Sequence, residues 1–480
     1  MKKVIFNSFT IICIVTIITS CINNTDNIKN SSNGIWESIG CGYILQIKDS
    51  TEYNLYDINP VACLPNTAGP FSDLSISLNL SNGTLNLVEG MTAYRFHRVE
   101  SMPISCVEND NLEKSANPLF NFDYFAKTVE QHYAFMELNN IQWEALYNEQ
   151  RAKLDNNSAD VELFLIIEET LEKLNDNHAF LEATNEVHDA VDLLIANDEN
   201  DDVTTLPEYG DLYLAKEVTD HHLEINMTKD SWLIDWGMLT DKIGYIQVKT
   251  MWLYADIEIP QNLIDSIGYV DAYIKVRHEL YEGAYIKKEV EGVRRIMDEV
   301  MTDLRSAEAI VVDVRFNGGG QDAVSCEILR NFSDEKTQIW TQHFRDGDMY
   351  TDPEKIFLGY SENAYTKPVY VLTSPKTGSA AECFSLATMS MDHIKRIGDN
   401  TDGAMSTTLD KTLPNGWVFS ISNQVLMDNH GKVYENIGIP ADFKIDYPDD
   451  IQSFFRSVLG NLDKDKQDIL GAIEILGKEI

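Results

Sequence analysis

Two short apolar segments, each followed by small residues, most limit the folds open to this chain. Residues 309–314 are mostly apolar and run into the triple glycine at residues 318–320, and residues 369–373 are a second such run that leads to Ser379. Apolar runs of this length bounded by turn residues are typical of strands buried on both faces. Residues 380–391, directly after Ser379, have the pattern of a helix. Alternating strands and helices favour an α/β core.

Ser379 is the candidate nucleophile. A serine at a strand-to-helix turn projects its hydroxyl at the edge of a sheet, beside the free amides and positive end of the helix. The glycine turn can offer bare backbone amides to an oxyanion. Taken alone, each signal has an ordinary explanation, because such a serine is often a helix N-cap and a triple glycine is a common turn. Their joint appearance, in this order, points to acyl-transfer chemistry.

Together these segments resemble the C-terminal processing (tail-specific) serine peptidases and their tricorn-like and interphotoreceptor retinoid-binding-protein-like relatives, over about residues 118–445. The resemblance implies an α/β, ClpP/crotonase-like peptidase core with a helical cap, and we expect a small all-β domain before it. In that family the glycine turn and the residue after the nucleophile form the oxyanion hole, which places Gly319 and Ala380 there. The sequence has no Gly-Leu-Gly-Phe type loop of a PDZ domain, so recognition of free C-termini is not implied.

The resemblance offers two kinds of base for Ser379. The processing branch uses a lysine in a Thr-x-Gly-Lys-Gly turn, but residues 401–405 have Ala404 in the place of that lysine. An alanine cannot accept a proton, so a Ser-Lys dyad is not expected. The nearby lysines do not match the family position and are interpreted as solvated surface residues: Lys376, Lys395 and Lys411.

The tricorn-like branch uses a histidine in a Leu-x-Asp-x-His pattern, which residues 174–178 match with His178. It also uses a glutamate shortly before a Gly-Ile-x-Pro type segment, a place held here by Glu435. The resemblance therefore implies Ser379 as nucleophile, His178 as general acid/base and Glu435 as the acidic group that orients the histidine. A serine often links the last two in that branch. Asn177 holds its place, and the amide could bridge the two groups by hydrogen bonds or could weaken the relay.

The function implied by the resemblance is peptide-bond hydrolysis by a serine endopeptidase or a carboxy-terminal processing-type peptidase, through an acyl-enzyme on Ser379. A catalytically inactive peptide- or ligand-binding lipoprotein on the same fold is the alternative, and adhesion through the β domain is a third. No cofactor and no metal are expected, because the ten histidines form no His-x-x-x-His pair and the triple glycine lacks the Lys-Ser/Thr of a phosphate loop. Peptide or protein substrates are the expected partners, and a homo-oligomer is left open.

The formal net charge is −39 over 480 residues, and the acidic residues are spread along the chain. Such a charge disfavours nucleic acid and anionic lipid headgroups as partners. A solvated acidic surface is the simplest interpretation, and a preference for basic substrates is the other.

The first residues have the pattern of a bacterial lipoprotein signal. Lys2 and Lys3 precede a mostly apolar stretch at residues 4–19, which is too short for a comfortable membrane span, and residues 18–21 fit a lipobox that ends in Cys21. We expect cleavage before Cys21, lipidation of its thiol and a folded body tethered to a bacterial membrane in an extracytoplasmic space. An ordinary secretory signal and an uncleaved anchor are the alternatives.

A chain of this length is expected to fold as two or three domains. The predicted segments are a signal peptide (1–21), a flexible spacer (22–33), a small β domain (34–105), a helical cap (118–190), the peptidase core (191–446) and C-terminal helices (447–480). The β domain could bind a ligand or a substrate tail, or act as a spacer. The acidic and aromatic stretch at residues 252–288 cannot be placed from the sequence.

Seven cysteines are present, and export permits disulfides. Cys41–Cys63 and Cys63–Cys106 are both possible pairs, and the sequence does not choose between them. Cys383 lies one helical turn after Ser379 and is expected to be a buried, apolar-like residue rather than a second nucleophile.

Overall fold

The computed structural model describes residues 31–75, 77–107, 111–198 and 208–478. The predicted signal peptide, with Cys21, and nearly all of the predicted spacer lie outside these residues. No helix in the described ranges is both long and apolar enough to cross a membrane. The described chain combines an N-terminal β sheet, a group of helices and an α/β core, which confirms the predicted fold class.

The N-terminal sheet is an antiparallel sheet with the strand order β4-β3-β2-β1-β7-β6-β5. Its strands are β1 (Gly34–Ser38), β2 (Tyr43–Lys48), β3 (Glu52–Ile58), β4 (Cys63–Pro70), β5 (Leu78–Ser81), β6 (Thr84–Glu89) and β7 (Thr92–Val99), and α1 (Phe71–Ser75) follows β4. Alternate residues such as Leu45, Leu85 and Phe96 are buried in one cluster, as expected for strands with one covered face. Strands β5 and β6 meet at Asn82 and Gly83, whose φ angles of 53° and 81° suit a two-residue hairpin turn.

A disulfide joins Cys63, at the start of β4, to Cys106 in helix α2 (Ile104–Val107). This pairing resolves the choice that the sequence left open. Cys41 is a free and buried thiol. Cys383 is also free and buried, as predicted.

The helical cap follows, and its bounds are α3 (Asn111–Lys114), α4 (Pro118–His132), α5 (Trp143–Arg151), α6 (Asp160–Leu174), strand β8 (Phe180–Glu182) and α7 (Asn185–Asp198). Helix α4 begins at Asn117, whose side chain accepts a hydrogen bond from the Phe120 N–H and so caps the helix. Its apolar stripe, with Phe122 and Phe125, is fully buried. Helix α6 ends at Asn175, which has a left-handed φ of 55°, and the chain then turns towards His178.

The core contains the remaining strands and helices. The strands are β9 (Ile225–Asn226), β10 (Ile234–Met238), β11 (Ile243–Val248), β12 (Ala309–Asp313), β13 (Thr337–Asp346), β14 (Met349–Tyr350), β15 (Glu354–Leu358), β16 (Val369–Thr373), β17 (Ile394–Gly398), β18 (Thr408–Thr412), β19 (Val418–Ser422), β20 (Gln424–Met427) and β21 (Phe443–Lys444). The helices are α8 (Asp211–His222), α9 (Gln261–Ile267), α10 (Tyr269–Arg277), α11 (Glu282–Leu304), α12 (Asp322–Leu329), α13 (Ala380–Thr388), α14 (Ile451–Leu459) and α15 (Leu462–Leu476).

The central sheet has the order β21-β17-β16-β12-β11-β10-β9, and β11, β12, β16, β17 and β21 run parallel. Successive residues of β12 point to opposite faces. Val312 packs in the cluster that includes Val293 of α11 and Phe384 of α13, whereas Val311 packs with Ile469 of α15. Helices therefore cover both faces, which explains why these strands are apolar throughout.

Two smaller sheets complete the core. Strands β13, β14 and β15 form one, with β20 paired to β13, and strands β18, β19 and β8 form the other. The second sheet matters for the site, because β8 comes from the cap and pairs with β19 of the core. It therefore joins the cap, which carries His178, to the part of the chain that follows Ser379.

Candidate active site

Ser379 lies between the buried strand β16 and helix α13, as the sequence predicts. Its backbone has φ 52° and ψ −124°, a conformation that non-glycine residues rarely adopt and that is often found at functional turns. The Ser379 N–H donates to Ala404 O at 3.0 Å, and the Gly378 N–H donates to Asn317 O at 3.1 Å. The side chain is half-buried, and its Oγ has no hydrogen-bond partner among the described residues. The hydroxyl is thus held at the turn and left available.

The glycine turn lies directly against Ser379. Gly319 has φ 106°, and a Cβ at this position would lie 2.6 Å from Ser379 Cβ, so only glycine fits. The Gly319 N–H donates to Asn317 Oδ1 at 2.8 Å, and Asn317 Nδ2 donates to Val248 O at 3.1 Å. The Gly319 N–H, predicted to donate to the oxyanion, therefore already donates to the Asn317 side chain, which the sequence did not reveal.

The amides that remain for an oxyanion belong to Ala380 and Gly320. Neither N–H donates to an acceptor within the part of the chain that the structure describes. Both residues line the cavity that holds Ser379. Ala380 is in its predicted place, and Gly320, one residue after the predicted glycine, is the second candidate donor.

A buried ionic network braces the strand that enters the glycine turn. Arg315 donates to Asp313 Oδ2 at 2.7 Å and to Asp465 Oδ1 at 2.7 Å, and all three side chains are almost completely buried. Tyr447 Oη accepts a further hydrogen bond from Arg315. Asp313 and Arg315 therefore fix the strand that enters the turn.

His178 lies on the loop after α6, and it lines the same cavity as Ser379. The loop is held by Asp176, whose Oδ1 accepts from the His178 N–H at 3.0 Å and from Ser422 Oγ at 2.8 Å. The Nδ1 atom of His178 is buried and has no hydrogen-bond partner among the described residues. Burial lowers the imidazole pKa, and the charges of Asp176 and Asp402 oppose that shift.

The predicted relay from His178 through Asn177 to Glu435 is not formed in this structure. Asn177 is exposed, and within the described ranges its side chain has no hydrogen bond. Glu435 is buried and accepts from the Met405 N–H at 3.1 Å. Burial, with Glu382 and Asp176 nearby, raises the Glu435 pKa well above its usual range. The carboxylates that act on His178 are instead Asp176, Asp402 and Asp410. Adjacency in the Asn-Asp-Asn-His sequence could have pointed to Asp176.

The turn at residues 401–405 is organised by a carboxyl group rather than a lysine. Glu382, on the first turn of α13, accepts from Thr401 Oγ1 at 2.5 Å and from the amides of Gly403 and Ala404 at 2.7 Å. Burial raises its pKa to about 7, against the effect of these hydrogen bonds. Ala404 is buried and offers no base, as predicted.

One lysine was predicted wrongly. Lys411 is not a surface residue: its ammonium group is buried, donates to Asp57 Oδ1 at 2.8 Å and to Gly42 O at 3.0 Å, and lies over the Tyr43 ring. The partner carboxylate comes from the β domain, far away in sequence, so no local pattern could have indicated it. Lys376 and Lys395 are half-buried.

The cavity at Ser379 has a volume of about 380 Å³ and is partly open to solvent. The core, the cap and the β domain all contribute to its walls. Its lining includes Ser379, Ala380, Gly320, His178, Asp322 and Asp410. No group of three or more His, Cys, Asp or Glu side chains suited to a metal ion is found in the described parts of the chain.

Part of the core is similar to a known peptidase family. Residues 242–445 match the sequence model of peptidase family S41. The carboxy-terminal processing protease CtpA of Bacillus subtilis (strain 168) is 23% identical over 145 residues. The chain spans only 30% of the length of that relative, and the aligned part is also 30% of this chain.

Two solved structures share the fold. A candidate peptidase from Parabacteroides merdae ATCC 43184 superposes with a TM-score of 0.51 at 18% identity, over 72% of this chain and 97% of that one. Mature CPAF superposes with a TM-score of 0.50 at 13% identity, over 75% and 98%. The glycine turn, Ser379 and Glu435 lie inside the residues that match the model of peptidase family S41, and His178 lies before them.

Proposed function

We propose that this protein is a serine peptidase that hydrolyses peptide bonds through an acyl-enzyme on Ser379. The observation that carries the proposal is the position of Ser379, in a strained turn after a buried strand and in the wall of one cavity with His178. The match of residues 242–445 to peptidase family S41 supports it. Peptides or proteins are the proposed substrates.

In the proposed reaction, His178 takes the proton of Ser379 Oγ as that oxygen attacks the carbonyl carbon of the scissile bond. Burial lowers the His178 pKa and so keeps the imidazole neutral, the form that can accept a proton. The amides of Ala380 and Gly320 donate to the oxyanion, and each such donor is worth about 3 kcal/mol of transition-state stabilisation. His178 then protonates the leaving amine, and water hydrolyses the acyl-enzyme by the same route.

An inactive peptide- or ligand-binding protein on the same fold is the second candidate. It is favoured by one observation: within the described chain, neither Ser379 Oγ nor His178 Nδ1 has a hydrogen-bond partner. A binder would keep the cavity and would not need the serine to be reactive.

Labelling of the full-length protein with a fluorophosphonate separates the two candidates, because this probe reacts only with an activated serine. We expect the wild type to be labelled and Ser379→Ala and His178→Ala to lose the label. Ser101→Ala, which removes an exposed serine, is the matched control and should be labelled like the wild type. Folded wild type without label would support the binding protein.

We also propose that the protein is a lipoprotein held on the extracytoplasmic side of a bacterial membrane through Cys21. The basic start, the short apolar stretch and the lipobox-like residues 18–21 support this. Metabolic labelling with an alkyne-bearing fatty acid should be lost in Cys21→Ala and kept in Cys13→Ala. Label that persists in Cys21→Ala would contradict the proposal.

A further inference from the structure

The β domain forms part of the wall of the candidate active site. Tyr43, Glu89, Thr92 and Tyr94, all from the N-terminal sheet or the turn after β6, line the cavity that holds Ser379. The sequence left the role of this domain open, between a binding module and a spacer. Its side chains lie in the same cavity as the nucleophile, which argues against a simple spacer.

A second cavity, of about 440 Å³, lies between the N-terminal sheet and residues 278–282. Four residues line both cavities and define a neck between them: Tyr43, Glu89, Tyr94 and Glu282. The two cavities are therefore adjacent and share these four side chains, so a chain bound at Ser379 lies beside the second cavity.

One part of the lining of the second cavity is apolar. It is built by side chains of the sheet and of α1: Leu45, Leu55, Leu74, Leu87 and Phe96. Concave sites with apolar walls and a few polar groups are typical places for ligand side chains to bind. This wall suits leucine-like or aromatic side chains.

The neck and its surroundings are acidic. Glu89 and Glu282 are in the neck, Asp322 and Asp410 line the first cavity, and Asp73 and Glu279 line the second. No lysine or arginine is found among the described residues of either lining.

Both neck carboxylates already have one partner. Glu89 Oε1 accepts from Tyr281 Oη at 2.7 Å, and Arg277, outside both linings, lies 3.5 Å from the Glu282 carboxylate. Among the described residues, no lysine or arginine lies within ion-pair distance of the other five carboxylates in the two linings, so the walls complement a positively charged group.

We propose that the second cavity is a substrate subsite supplied by the β domain, which binds an extended segment of the substrate polypeptide with apolar side chains in the cavity and a lysine or arginine side chain in the neck. This proposal rests on the proposed function, because it assumes that the same polypeptide reaches Ser379. It makes the β domain a determinant of substrate choice.

Binding to the full-length Ser379→Ala protein tests the subsite without cleavage. Three fluorescein-labelled peptides of about ten residues are compared by anisotropy at physiological salt: a leucine-rich peptide with two lysines, the same peptide with glutamates for the lysines, and the lysine peptide with serines for the leucines. We expect the first to bind about 10-fold more tightly than either of the others.

Substitutions then locate the binding. Glu89→Gln combined with Glu282→Gln should weaken only the leucine-lysine peptide, by about 10-fold. Thr67→Trp, on an exposed position of β4 that lines the second cavity, should weaken it similarly by filling the space. The matched controls are Glu52→Gln and Glu52→Trp on the neighbouring strand, outside both linings, and they should change nothing.

The contrary outcomes are distinct. Equal binding of the lysine peptides with and without leucine, or an equal loss in Glu52→Gln, would show mere attraction to a chain of net charge −39 and would overturn the subsite. Each variant must keep the melting temperature of the Ser379→Ala protein, which shows that it folds. If the wild type binds the peptide but does not react with the fluorophosphonate, the proposed peptidase activity is wrong and the proposed subsite is still supported.

Discussion

The two sides of the candidate site are held in very different ways. The nucleophile side, made of β12, β16, the glycine turn and Ser379, is braced by a parallel sheet covered on both faces and by the buried Arg315 network. The base side is the loop at residues 175–178, which follows the end of α6. Hydrogen bonds from Ser422 to Asp176 connect this loop to the core. Within the described chain, the ring nitrogen Nδ1 of His178 has no partner at all.

The difference separates two requirements of a catalytic site. The strained turn at Ser379 must be fixed by surrounding structure, since a backbone in this region costs about 1–3 kcal/mol that other contacts must offset. The base can be placed by one loop. We therefore expect substitutions on the nucleophile side to damage both activity and stability, and those on the base side to change activity and its pH dependence with little effect on folding.

The largest expected effect is that of Gly319→Ala. The added methyl group would lie 2.6 Å from Ser379 Cβ, and the φ of 106° is itself unfavourable for alanine. We expect fluorophosphonate labelling to slow by about 100-fold or more, since Ser379 and the oxyanion amides must shift. Gly83→Ala is the control: its φ is 81°, but no atom lies within 4 Å of the new methyl. Equal labelling rates in Gly319→Ala and Gly83→Ala would show that the close contact between Gly319 and Ser379 does not matter for the reactivity of Ser379.

Asp465→Asn tests the brace of the nucleophile side. It removes the negative charge that pairs with the buried Arg315 guanidinium. The free energy of unfolding, measured by urea denaturation, should fall by about 3 kcal/mol. The exposed pair of Lys464 and Asp468 supplies the control, where Asp468→Asn should cost less than about 0.5 kcal/mol.

The loss in Asp465→Asn should depend on pH in a defined direction. Burial opposes ionisation of Asp465, but Arg315 and His222 outweigh it and lower the carboxyl pKa to about 2. A group with a lowered folded-state pKa stabilises fully above its unfolded pKa of about 4 and loses that effect as the pH falls towards 2. The unfolding curves of wild type and variant should therefore converge in acid. A difference in the free energy of unfolding between wild type and Asp465→Asn that stays constant as the pH falls towards 2 would contradict this account.

Asp176→Asn addresses the base side. The charge of Asp176 raises the His178 pKa against the larger effect of burial. Its removal should lower that pKa further, shift the acid limb of the kcat/KM profile to lower pH, and reduce activity at neutral pH by about 10-fold through looser positioning. Ser422→Ala, which removes one hydrogen bond but no charge, is the control and should leave the limb in place. An unchanged limb in Asp176→Asn would show that Asp176 does not act on His178 electrostatically.

The smallest effect is expected for Glu435→Gln. Burial raises its pKa well above the usual range and so favours the neutral carboxyl group, for which the amide is a close substitute. We expect kcat/KM to fall by less than about 3-fold, because the amide oxygen still accepts from the Met405 N–H. Glu435→Ala, which removes the acceptor, should cost more. A loss above about 100-fold in Glu435→Gln would instead support the predicted role of Glu435 as the group that orients His178.

The nucleophile side could be predicted from sequence because it is local. Each of the two apolar runs, one leading to residues 318–320 and one leading to Ser379, can be recognised as a strand and turn within about ten residues. The parallel sheet then brings the ends of these strands together. The base side was predicted only in part. His178 is placed in the cavity, but the relay through Asn177 to Glu435 depended on long-range geometry that the pattern does not contain.

The β domain shows the same limit. Its strands and the turn at Asn82 and Gly83 follow from alternation and turn residues. The choice of Cys63–Cys106, the burial of Lys411 against Asp57 and the contribution of Tyr94 to the cavity all come from packing between segments far apart in sequence. No local signal carries that information.

The pairing of β8 with β19 has a consequence for the order in which the site matures. His178 is made about two hundred residues before Ser379, yet its loop is anchored by Ser422, which follows both. In a chain that is still emerging from the ribosome, or still crossing a membrane, Ser379 and His178 are therefore not yet held in one site. On the proposed function, such a growing chain is not yet active, and it becomes a peptidase only after Ser422 has been made and holds the loop of His178.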